Sequence, residues 1–73
     1  MEERILNVLK QTFALDRVDA SISQQTCPEW DSMNHLRLVI ELESEFDVSF
    51  EPEEIAALKS FYAIKTILER KLS

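Results

Sequence analysis

Glycine does not occur in the 73 residues of this chain, which excludes every glycine-rich phosphate-binding loop. Cysteine occurs once, at Cys27, so no internal disulfide can close and a reducing compartment fits. That thiol reads as a small, partly packed loop residue. Histidine also occurs once, and the pair shows no metal-ligand spacing, so no metal site is expected. Basic residues are few, 8 against 14 acids, giving a net charge of −6. This balance argues against nucleic acid and anionic membranes as partners and for basic protein surfaces. No apolar run is long enough to span a bilayer and no signal-peptide pattern is present, so a cytoplasmic chain without membrane insertion is expected. A chain of this length forms one small domain, residues 1–73, and buries only about 60% of its unfolded surface. A deep substrate cleft with its supporting shell is not expected.

What is present is helical periodicity. Residues 2–14 place Ile5, Leu6, Leu9 and Phe13 on one side with Val8 beside them, a core-facing helix with Glu2 and Glu3 at its positive end. Residues 15–31 read as a long loop, its helix propensity lowered by Asp, Ser, Gln, Thr and Pro. A loop of that length in so small a domain needs anchors, and Leu15, Val18, Ile22 and Trp30 are the candidates.

The main helix follows, from Ser32 to about Phe46, with Asp31 as N-cap and Leu38, Val39, Leu42 and Phe46 as its inward stripe. A second stripe carries Met33, Arg37, Ile40 and Ser44, and its two apolar members are expected to stay partly exposed. Residues 47–59 form a connection with a short helix begun by Pro52, Glu53 and Glu54 and pinned by Ile55 and Leu58. Ser60 caps a last helix from Phe61 to about Lys71, with Phe61, Ile64, Ile67, Leu68 and Leu72 inward. The fold class is therefore all-α: a small bundle of three main helices and one short helix, with a long first loop.

Ser32 stands at the positive end of the main helix with its hydroxyl in the open, where an attached anion would be stabilised by the dipole and free N–H groups. Asp31, Ser32 and His35 together do not read as a hydrolase. Asp31 is engaged as the cap, and neither an oxyanion hole nor a cleft is visible. On the helical wheel His35 falls near the inward stripe, as a half-buried, hydrogen-bonded imidazole.

Asp31-Ser32-Met33 and the helix after it resemble the Asp-Ser-Leu or Asp-Ser-Met motif of acyl carrier proteins. The resemblance continues through Leu38–Phe46 and Val48–Glu54 into the last helix, so residues 30–72 match well and residues 1–29 only in layout. It implies that Ser32 carries 4′-phosphopantetheine, taken from coenzyme A by a phosphopantetheinyl transferase with Mg²⁺. Asp31 would help that enzyme position its metal. The chain would then be a carrier rather than an enzyme, a freestanding monomer shuttling acyl thioesters between a loading ligase and acyl-processing enzymes with basic docking patches. Met33, Arg37, Ile40, Glu41, Ser44 and Glu45 would form the docking surface.

The run Glu41, Glu43, Glu45, Asp47, Glu51, Glu53 and Glu54 reads either as such an acidic face or as a solvated surface, crowded with like charge because only Lys59 lies nearby in sequence. Three departures from the family pattern stand out. Thr26-Cys27-Pro28-Glu29-Trp30 replaces the usual Asp-Leu-Gly type run, Asn34 is neutral where an acid is common, and Arg37 is basic where many members are acidic. The last two point to a specialised carrier in a dedicated pathway. Two alternatives stay open: an aminoacyl or D-alanyl carrier, and an unmodified helical interaction domain.

Overall fold

Four helices and no strand make up the chain in a computed structural model that describes residues 1–73: α1 (Glu2–Thr12), α2 (Ser32–Phe46), α3 (Pro52–Ala57) and α4 (Phe61–Leu72). The expected all-α bundle is the architecture observed. Sixteen buried side chains form one core, all of them apolar. Ile5, Val8 and Leu9 come from α1, the four residues of the inward stripe from α2, and Phe61, Ile64, Ile67 and Leu68 from α4. Burial of this stripe on each helix is what stabilises segments too short to persist alone in water. No helix is long and apolar enough to cross a membrane.

One boundary and one burial differ from the sequence reading. The first helix stops at Thr12 rather than residue 14, because Phe13 leaves helical geometry and Ala14 adopts a left-handed conformation at φ 54°. Leu72 lies within the last turn of α4 but is exposed rather than inward.

With no glycine available, both left-handed positions carry a Cβ: Ala14, and Asp47 at φ 53° as the C-cap of α2. Asp tolerates this conformation, whereas alanine in it costs roughly 1–2 kcal/mol. Ala14→Gly relieves that cost but adds chain entropy to the unfolded state, worth about 0.4–1 kcal/mol in the opposite direction. The net expectation is a stabilisation of up to about 1 kcal/mol, read as a raised urea midpoint at unchanged slope. A lower midpoint would show that the Ala14 methyl contributes packing that outweighs the strain.

The long loop between α1 and α2 is stitched down rather than loose. Phe13, Cys27 and Trp30 are buried in the core, and Leu15, Val18 and Ile22 pack against it. Its middle runs antiparallel to the entry of α4: the Gln24 N–H donates to the Lys59 carbonyl (2.9 Å) and the Phe61 N–H to the Ile22 carbonyl (3.1 Å). Burial pushes the Cys27 thiol up from its ordinary pKa, with the Glu29 carboxylate adding to the effect, which disfavours the nucleophilic thiolate.

The short α3 is a satellite. It contributes no buried residue of its own, although Leu58 at its C-cap is fully buried and Ile55 packs against the core. Its outer side is fastened by Glu54, which accepts from the Glu51 N–H (2.8 Å) and pairs with Lys71 of α4 (2.8 Å). The Glu51 N–H first, and then Lys71, hold the Glu54 carboxyl below its ordinary value of 4.5. A carboxyl depressed in the folded state stabilises the fold above its unfolded pKa and ceases to as pH falls through its folded pKa. Glu54→Gln is therefore expected to unfold at a lower temperature than wild type near neutrality, the gap closing as pH falls below about 4.5. Thermal midpoints of both proteins from neutral to acid pH check this; a gap independent of pH would assign the loss to packing rather than charge.

Candidate functional site

Asp31 is extended, and its carboxylate Oδ1 accepts from the Asn34 N–H at 2.9 Å while its carbonyl accepts from the His35 N–H at 2.8 Å. The cap predicted from the sequence is therefore made. It leaves the N–H groups of Ser32 and Met33 without protein partners, as expected for the first turn. Ser32 is the first helical residue, exposed, and its hydroxyl makes no hydrogen bond within the chain. A shallow open recess beside it is lined by Gln24, Trp30, Asp31, Ser32, His35 and Leu36. The larger groove of the molecule lies elsewhere, between α1 and the loop, lined by Leu6, Lys10, Leu15, Val18 and Ile22 among others.

Asn34 is tied inward. Its side-chain amide donates to the Glu29 carbonyl at 2.8 Å, closing the loop onto the first turn of α2. A carboxylate at this position has no proton to give that carbonyl, so the neutral residue has a local structural reason.

His35 is held at both ring nitrogens. Indole Nε1–H of Trp30 can only donate, so Nδ1 of His35 is the acceptor across 2.9 Å. The proton then sits on Nε2, which donates to the Ile55 carbonyl of α3 at 2.8 Å. Neither nitrogen is directed at Ser32, so the Asp31, Ser32 and His35 cluster does not assemble a triad.

Down α2 from Ser32 runs an exposed stripe. Met33 is 78% exposed, Leu36 60% and Ile40 62%. Leu36 was overlooked in the sequence, although its i+3 spacing from Met33 and i−4 spacing from Ile40 put it on that face. Arg37 stands among them without an ion pair; the three ion pairs of the chain are Arg4 with Glu45, Lys65 with Glu2, and Lys71 with Glu54. The i,i+4 pair between Arg37 and Glu41 that their spacing permits is not formed.

The acids are less crowded than the sequence suggested. Arg4 of α1 pairs with Glu45 (2.8 Å), donates to its carbonyl and lies 4.5 Å over the Phe46 ring. Glu43 accepts from the Phe50 N–H at 2.9 Å, and Lys71 takes Glu54. Glu41 and Ser44 remain exposed beside the stripe, whereas the Glu45 charge is shared with Arg4. Cations distant in sequence thus offset part of the repulsion that Lys59 alone was expected to meet. No protein-family model and no curated protein matches the chain.

Proposed function

We propose that the chain is an acyl carrier protein, holding acyl groups as thioesters on a 4′-phosphopantetheine arm joined to Ser32. The observation that carries this reading is a free, exposed serine hydroxyl on the first residue of a capped 15-residue helix, continuous with an exposed apolar stripe. Those features fit the arm. Ser32 Oγ supplies the oxygen of the phosphodiester, and the unpaired N–H groups of the first turn together with the helix dipole favour the phosphate charge there. When bound, the arm supplies a thiol whose thioesters are activated toward acyl transfer.

In attachment, Ser32 Oγ loses its proton to the base of a separate transferase and forms a bond to the β-phosphorus of coenzyme A. The bond that breaks is the pyrophosphate linkage, and the nucleotide bisphosphate leaves. Asp31 stays a cap through Oδ1, with its other oxygen available to the transferase's Mg²⁺. Intact mass after incubation with coenzyme A, Mg²⁺ and a promiscuous phosphopantetheinyl transferase tests the reading. One arm per chain is expected; a folded chain that gains no mass would overturn it and favour an unmodified interaction domain.

Arg37 bears on partner choice. Enzymes built for acidic carriers present Lys or Arg to this stripe, and an unpaired arginine sets like charge against like. Exposed pairs are worth roughly 0–1 kcal/mol, so charge reversal shifts docking by about tenfold at most. With the same acyl arm, Arg37→Glu is expected to be turned over faster than wild type by a conventional fatty acid synthase ketosynthase at low salt, the advantage shrinking as salt screens it. Equal turnover at both salt concentrations would remove Arg37 from partner choice.

A further inference from the structure

We propose that the open recess beside Ser32 is a seat for the 4′-phosphopantetheine arm, with the Gln24 side-chain amide as its polar anchor and Leu36 as its apolar wall. The seat rests on the reading of Ser32 as the attachment point. The recess opens on Ser32 itself and measures ≈ 530 Å³, inside the range of about 300–1,000 Å³ usual for small-molecule sites. A group joined to Ser32 Oγ therefore enters it directly. Its back is fixed. Trp30 is buried and its indole N–H donates to Nδ1 of His35 at 2.9 Å, while Nε2 of His35 donates to the Ile55 carbonyl at 2.8 Å. Gln24 comes from the middle of the loop, and its backbone is tied as well, the N–H donating to the Lys59 carbonyl at 2.9 Å.

The chemistry of the walls selects the ligand. A neutral imidazole with its proton on Nε2 has a single lone pair at Nδ1, and the Trp30 N–H takes it. The Gln24 amide, 3.4 Å from the same nitrogen, is left without that acceptor and has no other side-chain partner in the chain. Its donors and its carbonyl stay free. A secondary amide, with one N–H and one carbonyl, is complementary to that group. The recess holds no lysine or arginine and one acid, Asp31, so it suits an uncharged ligand and gives a free phosphate no counter-charge. Leu36 adds a largely exposed apolar side chain, which is stabilised by being covered. Phosphopantetheine carries its groups in the matching order: geminal methyls next to the phosphate, then two secondary amides, then the thiol. Its uncharged middle meets Leu36 and Gln24 while its phosphate stays at the Ser32 oxygen. Leu36 also lies on the exposed stripe, so a partner covering that stripe meets the seated arm.

Nuclear magnetic resonance of the full chain tests the seat, with the arm loaded from coenzyme A labelled in its pantetheine portion and counted by intact mass. A chain that takes up no arm overturns the attachment reading and the seat with it. In a chain with one arm on Ser32, cross-peaks are expected from the geminal methyls to the Leu36 methyls and from the first amide of the arm to the Gln24 side chain. Gln24→Ala keeps the backbone bond to Lys59. Compared at equal arm loading, it is expected to lower the ratio of seated to free arm about twofold to tenfold, the worth of one neutral hydrogen bond. Gln25→Ala, next in sequence but outside the recess, should leave the ratio unchanged. An arm attached at Ser32 that touches neither Gln24 nor Leu36, or that lies against Met33 and Ile40 instead, overturns the seat and leaves the attachment standing. So does an equal ratio in Gln24→Ala and wild type.

Discussion

Ser32→Ala is expected to abolish arm attachment completely while leaving the fold intact. The hydroxyl is exposed and makes no hydrogen bond within the chain, and alanine is the best helix former. The substitution should therefore move stability by no more than about 0.5 kcal/mol, and far-UV circular dichroism should match wild type. Attachment, by contrast, has no substitute oxygen at the head of α2. Ser60 is engaged as the cap of α4, accepting from the Ala63 N–H at 3.1 Å. Ser21 is bonded to Asp19 at both its N–H and its hydroxyl. Ser44 lies three turns into α2, away from the free N–H groups of the helix start. Intact mass and peptide mapping decide the matter. An arm found on Ser21, Ser44 or Ser60 would displace the site from the head of α2.

Trp30→Ala should be the most damaging single truncation in the loop. Trp30 is only 5% exposed, its ring lies 5.2 Å from that of Phe13, and its N–H holds His35. Truncating a buried tryptophan costs about 3–5 kcal/mol. A chain of this size has a total stability of roughly 4–11 kcal/mol, so the variant is left at the margin of folding. At about 4–8 °C per kcal/mol, the midpoint should fall by at least roughly 12 °C. Trp30→Phe separates the two contributions. It keeps most of the packing and leaves Nδ1 of His35 with only the long 3.4 Å contact to the Gln24 amide, a loss of about 1–3 kcal/mol. Thermal and urea unfolding followed by helicity give both values. A Trp30→Ala midpoint within a few degrees of wild type would show that the loop is held without the indole.

Much of the site is local, and local features were legible. Asp31 caps α2 because a carboxylate one residue before a helix reaches the N–H three residues on, and Asn34 supplies it. The inward stripe of α2 follows from its 3.6-residue period and is buried as that period predicts. The exposure of Met33 and Ile40 followed from the same wheel, and Leu36 was available there too. His35 was legible as half-buried and bonded, but not its partners. Trp30 approaches only because the loop folds back on the first turn of α2, and Ile55 only because α3 docks beside it.

Composition and periodicity by themselves determined the helix order, most of the core, the cap and the open serine, because each depends on neighbours within a turn or two of chain. The tertiary structure alone decided which charges are free and where the ends of elements settle. Arg4 neutralises Glu45 across 41 residues of chain, and Lys71 reaches Glu54 from the last turn of α4. Leu72 stays exposed although its helical spacing placed it inward. Coulombic pairing and burial depend on distance in space, and spacing along the sequence carries that information only inside a single helix.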